Sequence, residues 1–266
     1  MIDFFEYTFF QNALIGILFN SICAAIIGTY IISRRMVAIT GGITHACFGG
    51  LGLGYFLGFN PVVIASFFAV FSALGVEWMA AKHRVREDSA IAVIWAFGMA
   101  VGVLFVFLTP GYVPELNSFL FGNLLTITTS DIIAFAIYTA ALLLIYAIAF
   151  RKIVASAFDR DFAAVLGLPV KFLNTLMTVM IAIGVVLTIR MVGIMLLMSL
   201  FSLPVMIVET RCVRFQSMTI AAVIVSLVTC LAGLFISAYI DVPCSAVIVI
   251  IQVLLFVLAR IFSHRN

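Results

Sequence analysis

The residues of this chain that could do chemistry are a few ionisable side chains set within long apolar runs. On insertion scales a charge at the centre of a membrane helix costs about 2.5–3.5 kcal/mol, so each such residue is a functional candidate. His45 stands in ITGGITHACFGG, next to Thr44 and two residues before Cys47. Imidazole and thiolate are transition-metal ligands, and oxygen donors favour harder cations. Glu77, Arg190 and Glu209 fall near the ends of their runs, where a side chain reaches an interface or an opposite charge. Asp241 precedes the last run, where a carboxylate would raise the local cation concentration. His45 is deeper in its run and cannot easily snorkel. Two readings of it stand on the residues alone: a metal contact, or an imidazole that hydrogen-bonds a backbone carbonyl and holds the shape of a glycine-rich helix.

Several chemistries are excluded. The chain has no Gly-x-Ser-x-Gly elbow, no His-Glu-x-x-His and no Gly-x-x-x-x-Gly-Lys-Ser/Thr loop, so it has no Walker A site with which to hydrolyse ATP. Its five cysteines are scattered without zinc-knuckle or disulfide spacing; four read as small core hydrophobes, and Cys47 stays open as a ligand. No tightly bound cofactor is expected.

The elements that must position these residues are membrane helices. Hydrophobic residues make up 65% of the 266 positions and charged residues 9%, with mean hydropathy +1.32, too little polar surface to coat a soluble globule. Crossing a bilayer takes about 20 apolar residues. Runs near 10–32, 43–58, 61–81, 89–109, 131–150, 172–190, 191–208, 217–238 and 243–261 meet or approach that length. The expected fold is therefore all-α, a polytopic bundle of about eight to nine spans forming a single transmembrane domain over 1–266. The first run follows Asp3 and Glu6 with no Lys or Arg before it, the wrong charge for a cleavable signal, so the first helix is expected to be retained. If the spans alternate, every Lys and Arg except Arg190 falls on one side, which the positive-inside bias makes cytoplasmic. This leaves the N-terminus outside and the C-terminus inside. The basic residues form no single patch, so no nucleic-acid partner is expected.

Three intervals depart from plain spans. The second run is crowded by Gly41, Gly42, Gly49, Gly50, Gly52, Gly54 and Gly58, which lets another helix or a second subunit approach closely and leaves room for a re-entrant path. The interval 116–131 follows Pro110, Gly111 and Pro114 and reads as an external loop with a partial helix. The longest internal hydrophilic stretch, about 151–171, contains AFDRDFAAVLGLPV. There Asp159 or the turn before it caps a short helix that stops at Gly167 and Pro169, with Phe158, Phe162, Val165 and Leu166 at helical spacing. Such an amphipathic segment either rests on headgroups or docks a cytoplasmic partner.

Taken in order, these stretches resemble the zinc, manganese and iron permeases of the ATP-binding cassette importers. RRMVAITGGITHACFGGLGLGYFLG (34–58) is similar to that family's basic pair, Gly-Asp-x-x-Ser-His-Ala motif and glycine-rich helix. REDSAIAVIWAFGMAVGVLF (86–105), LNSFLFGNLLTITTSDI (116–132), AFDRDFAAVLGLPV (157–170), MVGIMLLMSLFSLP (191–204) and YIDVPCSAVIVI (239–250) resemble further blocks in the same order. The resemblance implies a multi-pass permease of the prokaryotic plasma membrane that carries a divalent transition-metal ion as substrate. It implies a second permease copy in a homodimer, a cytoplasmic ATP-binding subunit and an extracytoplasmic metal-binding protein. Segment 157–170 then becomes the ATPase-coupling helix, with Asp159, Phe162, Ala164 and Gly167 at the contact. His45 matches the motif histidine, while Gly41 stands where the family has aspartate and Thr44 replaces the small hydroxyl residue. The metal set is then His45, Cys47 and Thr44, with Asp241 at the outer mouth. Competing readings are a permease for a chelated or other small ligand and, from another class, a membrane-embedded enzyme or signalling subunit; a co-purifying ATPase separates the transport readings from the latter.

Overall fold

The computed structural model describes residues 7–83, 85–110 and 127–263. The acidic N-terminus, most of the external interval, including Pro114, Glu115 and Gly122, and His264 lie outside the described residues. All regular structure among the described residues is helical: α1 (Thr8–Ser33), α2 (Ala38–Leu57), α3 (Pro61–His83), α4 (Glu87–Leu108), α5 (Thr129–Phe158), α6 (Arg160–Val165), α7 (Val170–Val208), α8 (Phe215–Ile240) and α9 (Cys244–Ser263). Seven of them, all but α2 and α6, are long and apolar enough to cross a membrane. The chain is a multi-pass membrane protein.

Helix α7 explains the span count. Its 39 residues would run about 58 Å if straight, roughly twice the ~30 Å hydrocarbon thickness. It is interrupted at Gly193, whose φ of 79° and ψ of 173° lie outside any helix and in a region that glycine alone occupies without strain. The break falls three residues beyond the boundary expected at 190–191. Helix α5 also outruns its expected span, carrying Arg151 and Lys152 inside its last turns. The glycine-rich run is a continuous 20-residue helix, α2, about 30 Å long, though less apolar than the seven spans.

The chain divides into two compact units: residues 1–32, 116–149 and 187–266 form one, residues 33–115 and 150–186 the other. In the first, α1 packs on the second half of α7. A Cβ on Gly28 would collide with the Phe201 carbonyl, so the backbones meet there with no side chain between them. Ala25, Val205, Val208, Met218 and Ala222 pack together as core between α1, α7 and α8. Hydroxyls and amides link the helices of this unit: Ser199 donates to Gln252 Oε1, Gln252 Nε2 to Thr229 at 3.0 Å, and Thr188 to Asn20 Oδ1 at 3.2 Å. Inside a bilayer such bonds average about 0.6 kcal/mol each and set helix register more than they add stability.

In the second unit α2 is sandwiched by α3 and α4. A Cβ on Gly98 would sit 2.5 Å from Ala46 Cα, one on Gly102 2.6 Å from the Phe48 carbonyl, and one on Gly50 2.5 Å from Ala65 Cα. The glycines at these contacts therefore serve packing inside the chain, helix on helix.

Each ion pair joins residues that the charge pattern assigns to one side. Arg190 meets Asp131 at 2.9 Å, both assigned outside; Arg260 meets Glu209, and Glu87 meets Arg34 and Arg160, all assigned inside.

Candidate functional site

The candidate metal residues of the second run are carried by α2, which begins at Ala38. His45 is partly exposed on its surface. Its imidazole lies parallel to the Trp95 indole of α4, ring centroids 4.4 Å apart and planes 3° from parallel. A flat stack fixes the ring plane and leaves both nitrogens at its edge. Among the described residues no hydrogen bond ties either nitrogen down.

The neighbours of His45 point elsewhere. Cys47, two residues on, lies about 200° round the helix, nearly opposite the imidazole, and its side chain is buried. Thr44 is buried and donates its hydroxyl to the Thr40 carbonyl at 2.6 Å, the usual way a threonine is satisfied inside a membrane helix. Four residues before His45, and so on the same face, is buried Gly41. Asp241 belongs to the other unit. It is the C-cap of α8, in the left-handed conformation (φ 58°, ψ 50°), its N–H donating to the Ser237 carbonyl at 2.9 Å. Asp is one of the few residues besides glycine that visits that conformation routinely, and its carboxylate end is exposed. No cluster of three or more His, Cys, Asp or Glu able to hold a metal occurs among the described residues.

The internal hydrophilic segment is built as its residues dictate. Asp159 caps α6, its carboxylate accepting from the Phe162 N–H at 2.9 Å. Gly167, at φ 74°, ends the segment, with Gly167 N–H on Ala164 O and Leu168 N–H on Ala163 O. Ala163 packs inward, whereas Phe158, Phe162, Val165 and Leu166 are exposed, Val165 at 85%. Ala164 and Gly167 are exposed as well. Four apolar side chains thus project from α6 and the residues that flank it.

Residues 6–263 match the ABC 3 transport family. The chain belongs to the ABC 3 transport family. Among its relatives, the chelated iron transport system membrane protein YfeD of Yersinia pestis is 31% identical over 98% of this chain and 87% of its own. The manganese transport system membrane protein MntC of Listeria monocytogenes is 27% identical over 98% and 93%. The solved structure of PsaBC from Streptococcus pneumoniae, in complex with Fab, superposes with a TM-score of 0.84 at 26% identity, covering 97% of this chain and 95% of that one.

As an ABC 3 family member this chain also carries features that sequence reasoning passed over. Trp95 reads as one more aromatic in an apolar helix, and only the fold brings it onto His45. The carboxylate of Glu87 receives two guanidinium groups, Arg34 at 3.3 Å and Arg160 at 2.9 Å. Gln252 is fully buried on α9, and an amide in an otherwise apolar run is the signal the sequence holds for it.

Proposed function

We propose that this chain is the membrane-spanning permease subunit of an ATP-driven importer for a divalent transition-metal ion, and that His45 is a metal contact on the translocation path. The observation that carries the assignment is the His45 ring: held flat by Trp95, partly exposed, and with no hydrogen bond to a described residue, it is poised as a donor. That state is the opposite of an imidazole spent on a helix carbonyl. Glycine packing holds the α2 backbone close against α4, which keeps the imidazole in place while a cation passes. Iron and manganese in the names of the two bacterial relatives support the substrate class.

Each chain contributes one imidazole, so a metal shedding its water needs further donors. A homodimer brings a second His45. Asp241, exposed at the end of α8, concentrates cations at the outer mouth, while Cys47 and Thr44 face away from the His45 ring and stand as weaker candidates. With no Walker A loop in the chain, ATP is hydrolysed on a cytoplasmic subunit that seats on α6 through Phe162, Ala164 and the Gly167 turn, held in shape by Asp159. An extracytoplasmic metal-binding protein delivers the ion, and the assembly resides in the bacterial plasma membrane. A second reading, carriage of a chelated metal, is favoured by Gly41: without the motif carboxylate the site offers less charge to a bare cation.

Elemental analysis of cells with and without the chain, grown with zinc, manganese or iron limiting in turn, tests the assignment. Loss of one metal from the deletion strain is the expected result. Unchanged content of all three overturns it.

A further inference from the structure

We propose that Glu87 is a positioning residue that transmits movement of α6 to the α2–α4 pair, and through it to His45. The inference rests on the reading of α6 as the ATPase contact and names the route by which that contact reaches the translocation path.

Three observations within one compact unit carry it. Arg160, the first residue of α6, turns its guanidinium onto Glu87 Oε1 at 2.9 Å, and Glu87 is the first residue of α4. The same oxygen takes Arg34 at 3.3 Å, and Arg34 also donates to Asn174 Oδ1 of α7 at 3.0 Å. The two cations differ in exposure: the Arg34 side chain is 5% exposed and held through both terminal nitrogens of its guanidinium, whereas that of Arg160 is 42% exposed. Glu87 is thus anchored by a buried partner and shared with a solvent-exposed one on α6.

The α4 helix is the lever. Trp95 lies eight residues past Glu87, about 12 Å along the axis, and is stacked on His45. Between α2 and α4 the backbones touch at Gly98 against Ala46 and at Gly102 against Phe48, with no side chains to slide over one another. A shift at the start of α4 therefore carries α2 with it. An ion pair as exposed as Arg160–Glu87 adds little to folding, so its loss is felt in the connection between α6 and α4 and the helices themselves remain.

The test uses the assembled importer, permease with its ATPase and binding protein, in liposomes, with metal uptake and ATP hydrolysis read in the same sample. Arg160→Gln is expected to assemble and to hydrolyse ATP, while uptake per ATP falls about fivefold or more. Arg160→Lys, which keeps a charge for Glu87, restores most of that ratio. Glu87→Gln lowers it as Arg160→Gln does. An unchanged ratio in Arg160→Gln overturns the link, and so does loss of the ATPase from the purified Arg160→Gln complex, which would make Arg160 a docking contact instead. If the unsubstituted complex accumulates none of zinc, manganese or iron, the functional reading fails first and the link falls with it.

Discussion

The imidazole of His45 lies flat on the indole of Trp95, 4.4 Å between centroids, joining two helices whose backbones already touch through glycine. Stacked rings of this kind are worth about 0.5–1.5 kcal/mol beyond their buried area, enough to hold the plane of a ligand and too little to hold the fold. His45→Ala is therefore expected to abolish metal uptake while detergent stability and expression stay near wild type. Trp95→Ala should weaken metal binding by about threefold to tenfold, and Trp95→Phe should retain most of it. An unstable His45→Ala protein rescued by His45→Gln, measured by thermal unfolding, would assign the histidine a purely structural role.

Gly41 lies one turn before His45 on the same face of α2, at the position where the motif resemblance implies a carboxylate. Gly41→Asp is expected to tighten divalent metal binding by adding an anionic oxygen beside the imidazole. Titration calorimetry on the purified protein checks it. Unchanged affinity and selectivity would place the path away from this face.

The exposed side of α6 predicts an uncoupled phenotype. Ala164 is exposed, and an arginine there would bury an unpaired charge against a docked ATPase, weakening assembly by a few kcal/mol. Ala164→Arg should fold and fail to transport. Gly167→Glu should do the same with some loss of stability, since φ 74° costs a side-chain-bearing residue about 1–2 kcal/mol. Normal uptake with intact assembly in both variants would remove α6 from the coupling role.

The interruption of α7 depends on one backbone conformation. At φ 79° and ψ 173° a Cβ is strained, so Gly193→Ala should destabilise the protein by about 1–3 kcal/mol, seen as a lower thermal midpoint in detergent. An unchanged midpoint would mean that the segment relaxes into another path.

The charge distribution predicts sidedness. A single cysteine at position 160 should be labelled by an impermeant thiol reagent only from the cytoplasm, and one near Glu115, outside the described residues, only from outside. Labelling of both from one side would reverse the parity of the spans.

What the sequence determined by itself was everything set by local chemistry. Hydropathy over about 20 residues identifies a membrane helix because the bilayer requires each span to satisfy its own backbone, so the all-α bundle and its approximate boundaries were legible. Charge at the run ends assigned the sides, and the ion pairs Arg190–Asp131 and Arg260–Glu209 each join residues of one side. Asp159 and Gly167 announced the ends of the short internal helix because capping needs only neighbours in the chain. Direction and partnership were decided by tertiary structure. The same apolar pattern is compatible with many rotations of a helix in lipid, since a membrane helix need not hide an apolar face. Only packing turned the α2 glycines onto α3 and α4, put Trp95 over His45, and gathered Arg34 and Arg160 onto one oxygen of Glu87. The break in α7 shows the same limit on a smaller scale: Arg190 drew the expected boundary by its charge, and the backbone turned three residues later, at the glycine that could take the required φ and ψ.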